Sequence, residues 1–148
     1  MGLAVHCGPM GELWTCPNCG HKFRWRNQWH SCTKVTLEDH LRGKPAEVVA
    51  LYRAFEQAVL GLGDDVEIEA VKGRVEFRAR IRFAGCTIQR KGLRCAVLLP
   101  RVLPHPRFVR IESPMPTQHP HYFRIDGPED LDGEVRAWLE EAYALGSG

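Results

Sequence analysis

Four side chains of metal-binding type lie close together near the start of the chain: Cys16, Cys19, His30 and Cys32. Their spacing is C-x2-C, then ten residues, then H-x-C. Thiolate and imidazole donors on so short a segment are typical of a tetrahedral zinc site, because Zn²⁺ accepts both sulfur and nitrogen. The sequence therefore predicts one structural Zn²⁺. Cys32 is the natural fourth ligand, with His40 and His21 as alternatives.

Metal binding would also supply the folding energy of this segment, which is too short to bury a core of its own. A free-thiol turn without metal is one alternative. A thioredoxin-like C-x-x-C is another, but that motif needs a buried strand before it and a helix after it, and here the flanking sequence is a short polar loop. We expect residues 1–35 to form a zinc-finger-like module.

A second group of chemically interesting residues lies on a run that alternates apolar and charged positions. Arg74, Arg78, Arg80 and Arg82 have the same parity, with Glu76 among them, and Lys72 shares it at the preceding turn. Residues of one parity lie on one face of a strand, and guanidinium groups bind phosphate or carboxylate in a bidentate manner. The pattern predicts an anion-binding face. A merely solvated polar face is the alternative.

His121 and Arg124 could add to this face from a later strand, which would create an anion-binding or acid/base site. We therefore take Lys72, Arg74, Arg80, Arg82, His121 and Arg124 as the candidate ligand-binding residues. No residue is assigned as catalytic. Phosphate-loop, dinucleotide and nucleophile-elbow motifs are missing from the sequence. A nuclease core would need a carboxylate two residues before Lys72, where the chain has Ala70.

The hydrophobic periodicity predicts the elements that must position these residues. A helical stripe follows Pro45, formed by Val48, Tyr52, Phe55, Val59 and Leu62. Alternation then predicts strands over 66–70, 75–83, 93–99, 108–111 and 119–125, and a last helix beginning near Pro128. We expect an α+β fold with an antiparallel sheet of four to five strands covered on one face by helices, over residues 36–148.

Composition sets broad limits on the protein. The chain has 148 residues and a formal net charge of +2, with basic zones at 1–34 and 72–94 and an acidic segment at 126–141. Basic zones favour anionic partners such as nucleic acid. The N-terminus lacks the features of a signal peptide, and no apolar run reaches the length of a membrane helix, so the expected location is a reducing cytoplasm without membrane contact.

Several runs along the chain resemble a known family. They are Cys-Pro-x-Cys-Gly and Arg-Asn-Gln-x-His-Ser-Cys within 16–32, Leu-Glu-Asp-His-x-x-Gly-Lys-Pro at 37–45, Arg-Phe-Ala-Gly at 82–85, His-Pro-Arg-Phe at 105–108 and His-x-Phe-Arg at 121–124. Together they are similar to the bacterial domain-of-unknown-function family 5655. The resemblance implies an α+β domain with an optional finger in front, and it brings no established reaction.

The chain also departs from that family pattern at two places. Tyr122 stands where members often carry a second histidine, and Gly92-Leu93-Arg94 replaces an aromatic and acidic stretch. Both departures could alter a ligand pocket.

Three functions are compatible with the sequence. The leading hypothesis is a zinc-containing binding module whose Arg face engages nucleic acid or a phosphorylated ligand. The first alternative is a small-anion sensor or enzyme with His121 as acid/base. The second is a protein-interaction adaptor that uses the tryptophans of the finger, Trp25 and Trp29.

Overall fold

The computed structural model describes residues 13–17, 20, 22–27 and 35–148. Three predicted zinc ligands, Cys19, His30 and Cys32, lie outside these residues, as do the alternative ligand His21 and Trp29 of the adaptor hypothesis. In the N-terminal part, β1 (Trp14–Thr15) and β2 (Lys22–Phe23) pair as an antiparallel hairpin.

The remaining elements build one larger body. Its helices are α1 (Leu37–Leu41), α2 (Ala46–Leu60) and α3 (Gly133–Ser147). Its strands are β3 (Glu67–Val71), β4 (Arg74–Arg78), β5 (Arg82–Gln89), β6 (Gly92–Leu99), β7 (Arg110–Ile111) and β8 (His119–Ile125). Among residues 35–148 these strands form one antiparallel sheet in the order β3-β4-β5-β6-β8-β7. The predicted α+β class is confirmed. No helix in this described part is long and apolar enough to span a membrane.

The prediction of four to five strands is wrong, because the run expected as one strand over 75–83 is two strands. The chain turns at 79–81, where the amides of Arg80 and Ile81 donate to the carbonyl of Gly146 at 2.9 and 3.0 Å. The second of these strands, β5, continues past Phe83 and includes Gly85. Alternation of apolar and charged residues continues through the turn, so it gave no sign of the break.

Local capping signals set two of the helix starts. Thr36 and Asp39 form a capping box at the start of α1, with the Thr36 amide 2.9 Å from the Asp39 carboxylate. The last helix begins later than predicted. Pro128–Asp130 form a 3₁₀ turn, and α3 starts after Asp132, whose carboxylate accepts from the Val135 amide at 3.0 Å.

One face of the sheet is buried under α2 and α3. The face carries Val75, Phe77, Cys86, Leu93, Cys95, Val97, Phe123 and Ile125, all at most 2% exposed. Tyr52 and Phe55 of α2 and Leu139 of α3 complete this core. Burial of this apolar area is the main stabilising contribution to the fold. The opposite face of the sheet has no helix of the described chain packed on it, and it carries the Arg-rich positions.

A candidate anion-binding groove on the uncovered sheet face

A transverse row of cross-strand partners crosses the uncovered face. The register pairs, in order, Glu69, Glu76, Gly85, Ala96, Tyr122 and Arg110. The two middle residues have the smallest side chains of the row. The sheet is therefore depressed between Glu76 and Tyr122, and a groove of about 540 Å³ lies there. A volume of this size suits a small ligand.

Close backbone packing restricts the floor of the groove at Gly85. A Cβ atom placed there would come 3.0 Å from the Val75 carbonyl oxygen and 3.8 Å from the Glu76 Cα. A larger residue would crowd β4, so glycine keeps both the strand pairing and the depth of the groove.

Glu76 forms one wall and is held by two arginines. The Nε of Arg74 donates to its carboxylate at 2.6 Å, and Nη1 of Arg82 donates at 2.8 Å. The Glu76 side chain is 8% exposed, whereas those of Arg74 and Arg82 are 57% and 55% exposed. Burial alone would raise the pKa of Glu76, but hydrogen bonds and charge from Arg82 and then Arg74 outweigh it and hold that pKa below its ordinary value.

Arg82 reaches this wall through a β-bulge. Phe77 pairs with Ala84 and Arg78 pairs with Arg82, so Phe83 is the extra residue between the two strands. Phe83 packs against Tyr143 of α3 on the covered face, with ring centroids 5.6 Å apart. The bulge thus leaves Arg82 on the same face as Glu76.

One end of the groove is rich in hydrogen-bond donors. Thr87 pairs with Arg94, and continuing the register from the Val75–Cys86 pair by one residue places Arg74 beside Thr87. The Thr87 hydroxyl donates to the Gly73 carbonyl at 3.2 Å, which holds the β3–β4 turn against β5. Within the described chain, no carboxylate lies at ion-pair distance from Arg94. This end therefore presents two guanidinium groups on either side of a hydroxyl.

Tyr122 forms the opposite wall. The guanidinium carbons of Arg94 and Arg110 lie 5.6 and 5.9 Å from its ring centroid, and its hydroxyl donates to Glu112 at 3.0 Å. Burial, and then the hydrogen bond to Glu112, raises the pKa of Tyr122, while the charges of Arg110 and Arg74 act in the opposite direction. The charge of Arg74 thus acts across the groove on its far wall.

The other end of the groove is mostly apolar. Ile81, Leu98 and Pro120 line it together with Gln118, and Arg82, the first residue of β5, lies at this end with its Nη1 turned to Glu76. Within the part of the chain that the structure covers, no hydrogen bond occupies the side-chain amide of Gln118.

The structure brings together only part of the predicted ligand-binding set. Arg74 and Arg82 line the groove. Lys72 is exposed at the β3–β4 turn and is not part of the lining, and the Nε of Arg80 donates to the Gly148 carbonyl at 2.8 Å. Arg124 lies on the uncovered face outside the groove, where it pairs with Asp126 at 2.9 Å and donates to Gln89 at 2.7 Å.

His121 lies on the opposite, covered face and is fully buried. Its Nδ1 lies 2.6 Å from the His119 carbonyl oxygen and therefore donates, while Nε2 accepts from the Leu103 amide at 3.0 Å. This pattern requires the neutral imidazole. Burial lowers the pKa of His121, although the hydrogen bond to His119 acts in the opposite direction. The structure does not bring this histidine to the arginines of the groove.

Groove residues that the sequence reasoning did not single out include Arg94, Tyr122, Gln118 and Ala96. Arg94 and Tyr122 were noted only as departures from a family pattern. A usable signal existed in the alternation of each strand, but it becomes informative only after the pairing register is known. Sequence parity cannot show which residue of one strand faces which residue of the next.

At the N-terminus, the described residues include one predicted zinc ligand. Cys16 is 4% exposed and follows β1 directly. Gly20, just after the C-x2-C pair, has φ +78° and donates from its amide to the Cys16 carbonyl at 2.8 Å. The alternative ligand His40 donates from Nε2 to the Val71 carbonyl at 2.8 Å. Since three of the four predicted ligands are outside the described residues, the ligand set stays a prediction.

The fold and groove together define an α+β domain with an antiparallel sheet, helices on one face and an arginine-lined groove on the other. The model of the family described as "Domain of unknown function (DUF5655)" matches residues 37–146, and the chain belongs to this family. Comparison with curated proteins and with solved structures gave no match.

Proposed function

We propose that this protein is a binding module that holds a compact anionic ligand, a phosphorylated small molecule, in the groove of its uncovered sheet face. The observation that carries the proposal is the convergence of Arg74, Arg82 and Arg94 on one concave site that contains a single carboxylate, Glu76. Guanidinium groups are suited to phosphate oxygens because their N–H donors lie in one plane at fixed spacing.

The charge of the lining supports a ligand of about two negative charges. Three guanidinium groups and one ionised carboxylate leave the groove a net charge of +2. Each of the two paired arginines uses only one of its nitrogens on Glu76, so donors remain for a ligand. A phosphomonoester carries about −1.5 to −2 charges at pH 7, which matches this value.

Charges around the groove favour a compact ligand over a nucleic-acid strand. Outside the groove, the other arginines of the sheet face are paired with carboxylates: Arg78 with Glu69, Arg110 with Glu112, and Arg124 with Asp126. A nucleic-acid backbone is usually followed by a continuous positive track. The remaining cations of this region, Lys72, Arg90 and Lys91, lie at exposed turns rather than along a track. The arginines of the groove bring their charge into one depression, so we favour the phosphorylated small molecule among the anionic partners.

The test is a titration calorimetry series on the full chain with inorganic phosphate, phosphomonoesters and a single-stranded oligonucleotide. Phosphate compounds should bind, and Arg74→Gln and Arg94→Gln should each weaken binding about tenfold, the loss expected for one charged hydrogen bond. Arg136→Gln is the matched control, because this exposed arginine lies on α3 and makes no side-chain contact with the groove. Binding of the oligonucleotide alone, with a steep salt dependence, would refute the small-ligand proposal.

The proposal includes one structural Zn²⁺ in the N-terminal module, residues 1–35, held by Cys16, Cys19, His30 and Cys32. The β1–β2 hairpin and the turn at Gly20 support it, since a positive φ after C-x2-C lets the backbone fold around a metal-bound thiolate pair. A Cβ on Gly20 would meet no atom within 4 Å, so conformation rather than space favours glycine there. The zinc would hold the hairpin together and take no part in chemistry.

Protein docking through the N-terminal module is a second candidate function. Trp25 is 45% exposed, with the Arg24 guanidinium 5.2 Å from its ring centroid. Tryptophan and arginine are enriched in the central residues of protein interfaces. Affinity capture with the wild type and with Trp25→Ala, quantified by mass spectrometry, tests it. A partner lost only from the variant supports docking, and identical partner sets count against it.

A further inference from the structure

The groove is polar at one end and apolar at the other. Arg74, Thr87 and Arg94 lie side by side on β4, β5 and β6 at the first end. Ile81, Leu98 and Pro120 lie at the second, where Arg82 donates to Glu76, and the methyl group of Ala96 lies between the two ends. An inorganic anion would use only the first end and leave the apolar end in contact with water. The lining therefore complements a ligand with an anionic head and a less polar body.

The dimensions of the floor favour a flat body. Glu76 and Tyr122 are separated by three strand spacings, from β4 to β8, or about 14 Å at the usual distance between paired strands. The residues between them, Gly85 and Ala96, rise by no more than one methyl group above the sheet. A ring lying parallel to this floor would contact it over its full area, whereas a bulky body would touch it only at its edge.

Two side chains offer contacts that a heterocycle would use. Arg94 already lies over the ring of Tyr122, and its planar guanidinium, without a carboxylate partner in the described chain, can stack on a second ring. Gln118, at the apolar end, provides one donor and one acceptor, the pair that recognises the edge of an adenine-type base.

From this arrangement we infer that the ligand is a phosphomonoester carrying a heterocyclic ring, of the nucleoside monophosphate class. The phosphate would lie between Arg74 and Arg94, and the ring would lie on the Gly85–Ala96 floor with its edge towards Gln118. This inference rests on the proposed function, because it specifies the ligand of the same groove.

The experiment compares three probes by titration calorimetry on the full chain: inorganic phosphate, ribose 5-phosphate and adenosine 5′-monophosphate. The ring compound should bind at least about tenfold more tightly than ribose 5-phosphate, the difference that one stacked base provides. Ala96→Leu should raise the floor of the groove. It should lower the affinity for the ring compound about tenfold while changing the affinity for inorganic phosphate less than about twofold. Gln118→Ala should weaken binding of the ring compound alone. Gln118 is half-buried and lies outside the named strands, so this change tests the inference without altering their pairing.

The outcomes separate this inference from the proposed function. If the three probes bind equally well, or if Ala96→Leu and Gln118→Ala leave the ring compound unaffected, the ring assignment is refuted while phosphate binding stands. If no probe binds, or if Arg74→Gln and Arg94→Gln leave the affinity for the probes unchanged, the proposed function is refuted and the inference with it. Circular dichroism and thermal melting of each variant show that the sheet has formed.

Discussion

Replacing Glu76 by glutamine tests whether the carboxylate at the groove wall stabilises the fold through its two arginines. The substitution keeps the size of the side chain and removes its charge. It weakens the charge-assisted hydrogen bonds at 2.6 and 2.8 Å and places an amide N–H₂ group where one of the two acceptor oxygens had been. The carboxylate is 8% exposed, so water cannot fully replace what is lost.

The size of the stability loss can be worked out from the exposure of the two arginines bonded to Glu76. A hydrogen bond to a charged group contributes about 1.5–3 kcal/mol when it is buried, whereas an exposed ion pair contributes about 0–1 kcal/mol. Arg74 and Arg82 are 57% and 55% exposed, so each bond should fall near the lower end of the buried range. The glutamine oxygen still accepts one bond. We expect Glu76→Gln to lower the free energy of unfolding by about 1–2 kcal/mol at pH 7.

The effect should also depend on pH. The pKa of Glu76 is lower in the folded protein than its ordinary value of 4.5, so the folded state binds this proton less readily than the unfolded chain. The stabilisation is therefore present above about pH 4.5 and is lost as the pH falls through the folded pKa. Wild type and variant should become similar in stability once the wild-type carboxyl is protonated.

Urea denaturation followed by circular dichroism at pH 7 and at pH 3 measures both effects. Glu67→Gln is the matched control. Glu67 lies on β3 on the same uncovered sheet face as Glu76, is exposed, and has no ion pair among the described residues. Its effect should stay within about 0.5 kcal/mol. Equal stability of Glu76→Gln and wild type at pH 7, or the same difference in stability at both pH values, would show that the bonds from Arg74 and Arg82 to Glu76 do not stabilise the fold as argued.

Three further measurements address other parts of the molecule. Metal analysis of purified protein should find about one zinc per chain. The Cys16→Ser variant should lose this zinc, because a structural site needs four ligands. Purified wild type without zinc would exclude the site. The pKa of His121 is lower in the folded protein than in the unfolded chain, so the wild type should lose stability as the pH falls below about 6.5. Urea denaturation at pH 7.5 and 5.5 should show that His121→Gln lacks this part of the loss. An equal loss of stability in the two proteins would contradict a neutral buried histidine. Gly92→Ala should cost about 2–3 kcal/mol, since its Cβ would lie 2.8 Å from the Ile125 carbonyl oxygen at a φ of +157°, whereas Gly133→Ala, with open space, should change stability little. Similar thermal melting of the two variants would show that the clash is relieved.

Much of the body could be predicted because local patterns are strong there. The stripe from Val48 to Val59 fits one face of a helix, and that stripe is buried in α2. The capping box at Thr36 is of the same kind, because it involves only residues three positions apart. The strand over 75–83 was mispredicted because the turn at 79–81 is stabilised by the Gly146 carbonyl, from a part of the chain far away in sequence.

The candidate site could be predicted only in part, for a related reason. Parity on one strand placed Arg74 with Glu76, and both line the groove. It also grouped Arg80 with them, although the turn carries Arg80 away to the Gly148 carbonyl. His121 was a candidate ligand-binding residue, and an acid/base group in the alternative hypothesis, yet its parity on β8 places it on the covered face.

The sequence by itself determined the fold class, the helical stripes, the clustering of arginines and the zinc-ligand pattern, because each depends on residues close together in the chain. Only the tertiary structure decided which face of the sheet stays uncovered and which strands are neighbours. It also decided that Gly85 and Ala96 lie between Glu76 and Tyr122. These are properties of pairing register, in which a shift of one residue turns every side chain to the opposite face. The groove exists because of that register, and no single segment of the sequence contains it.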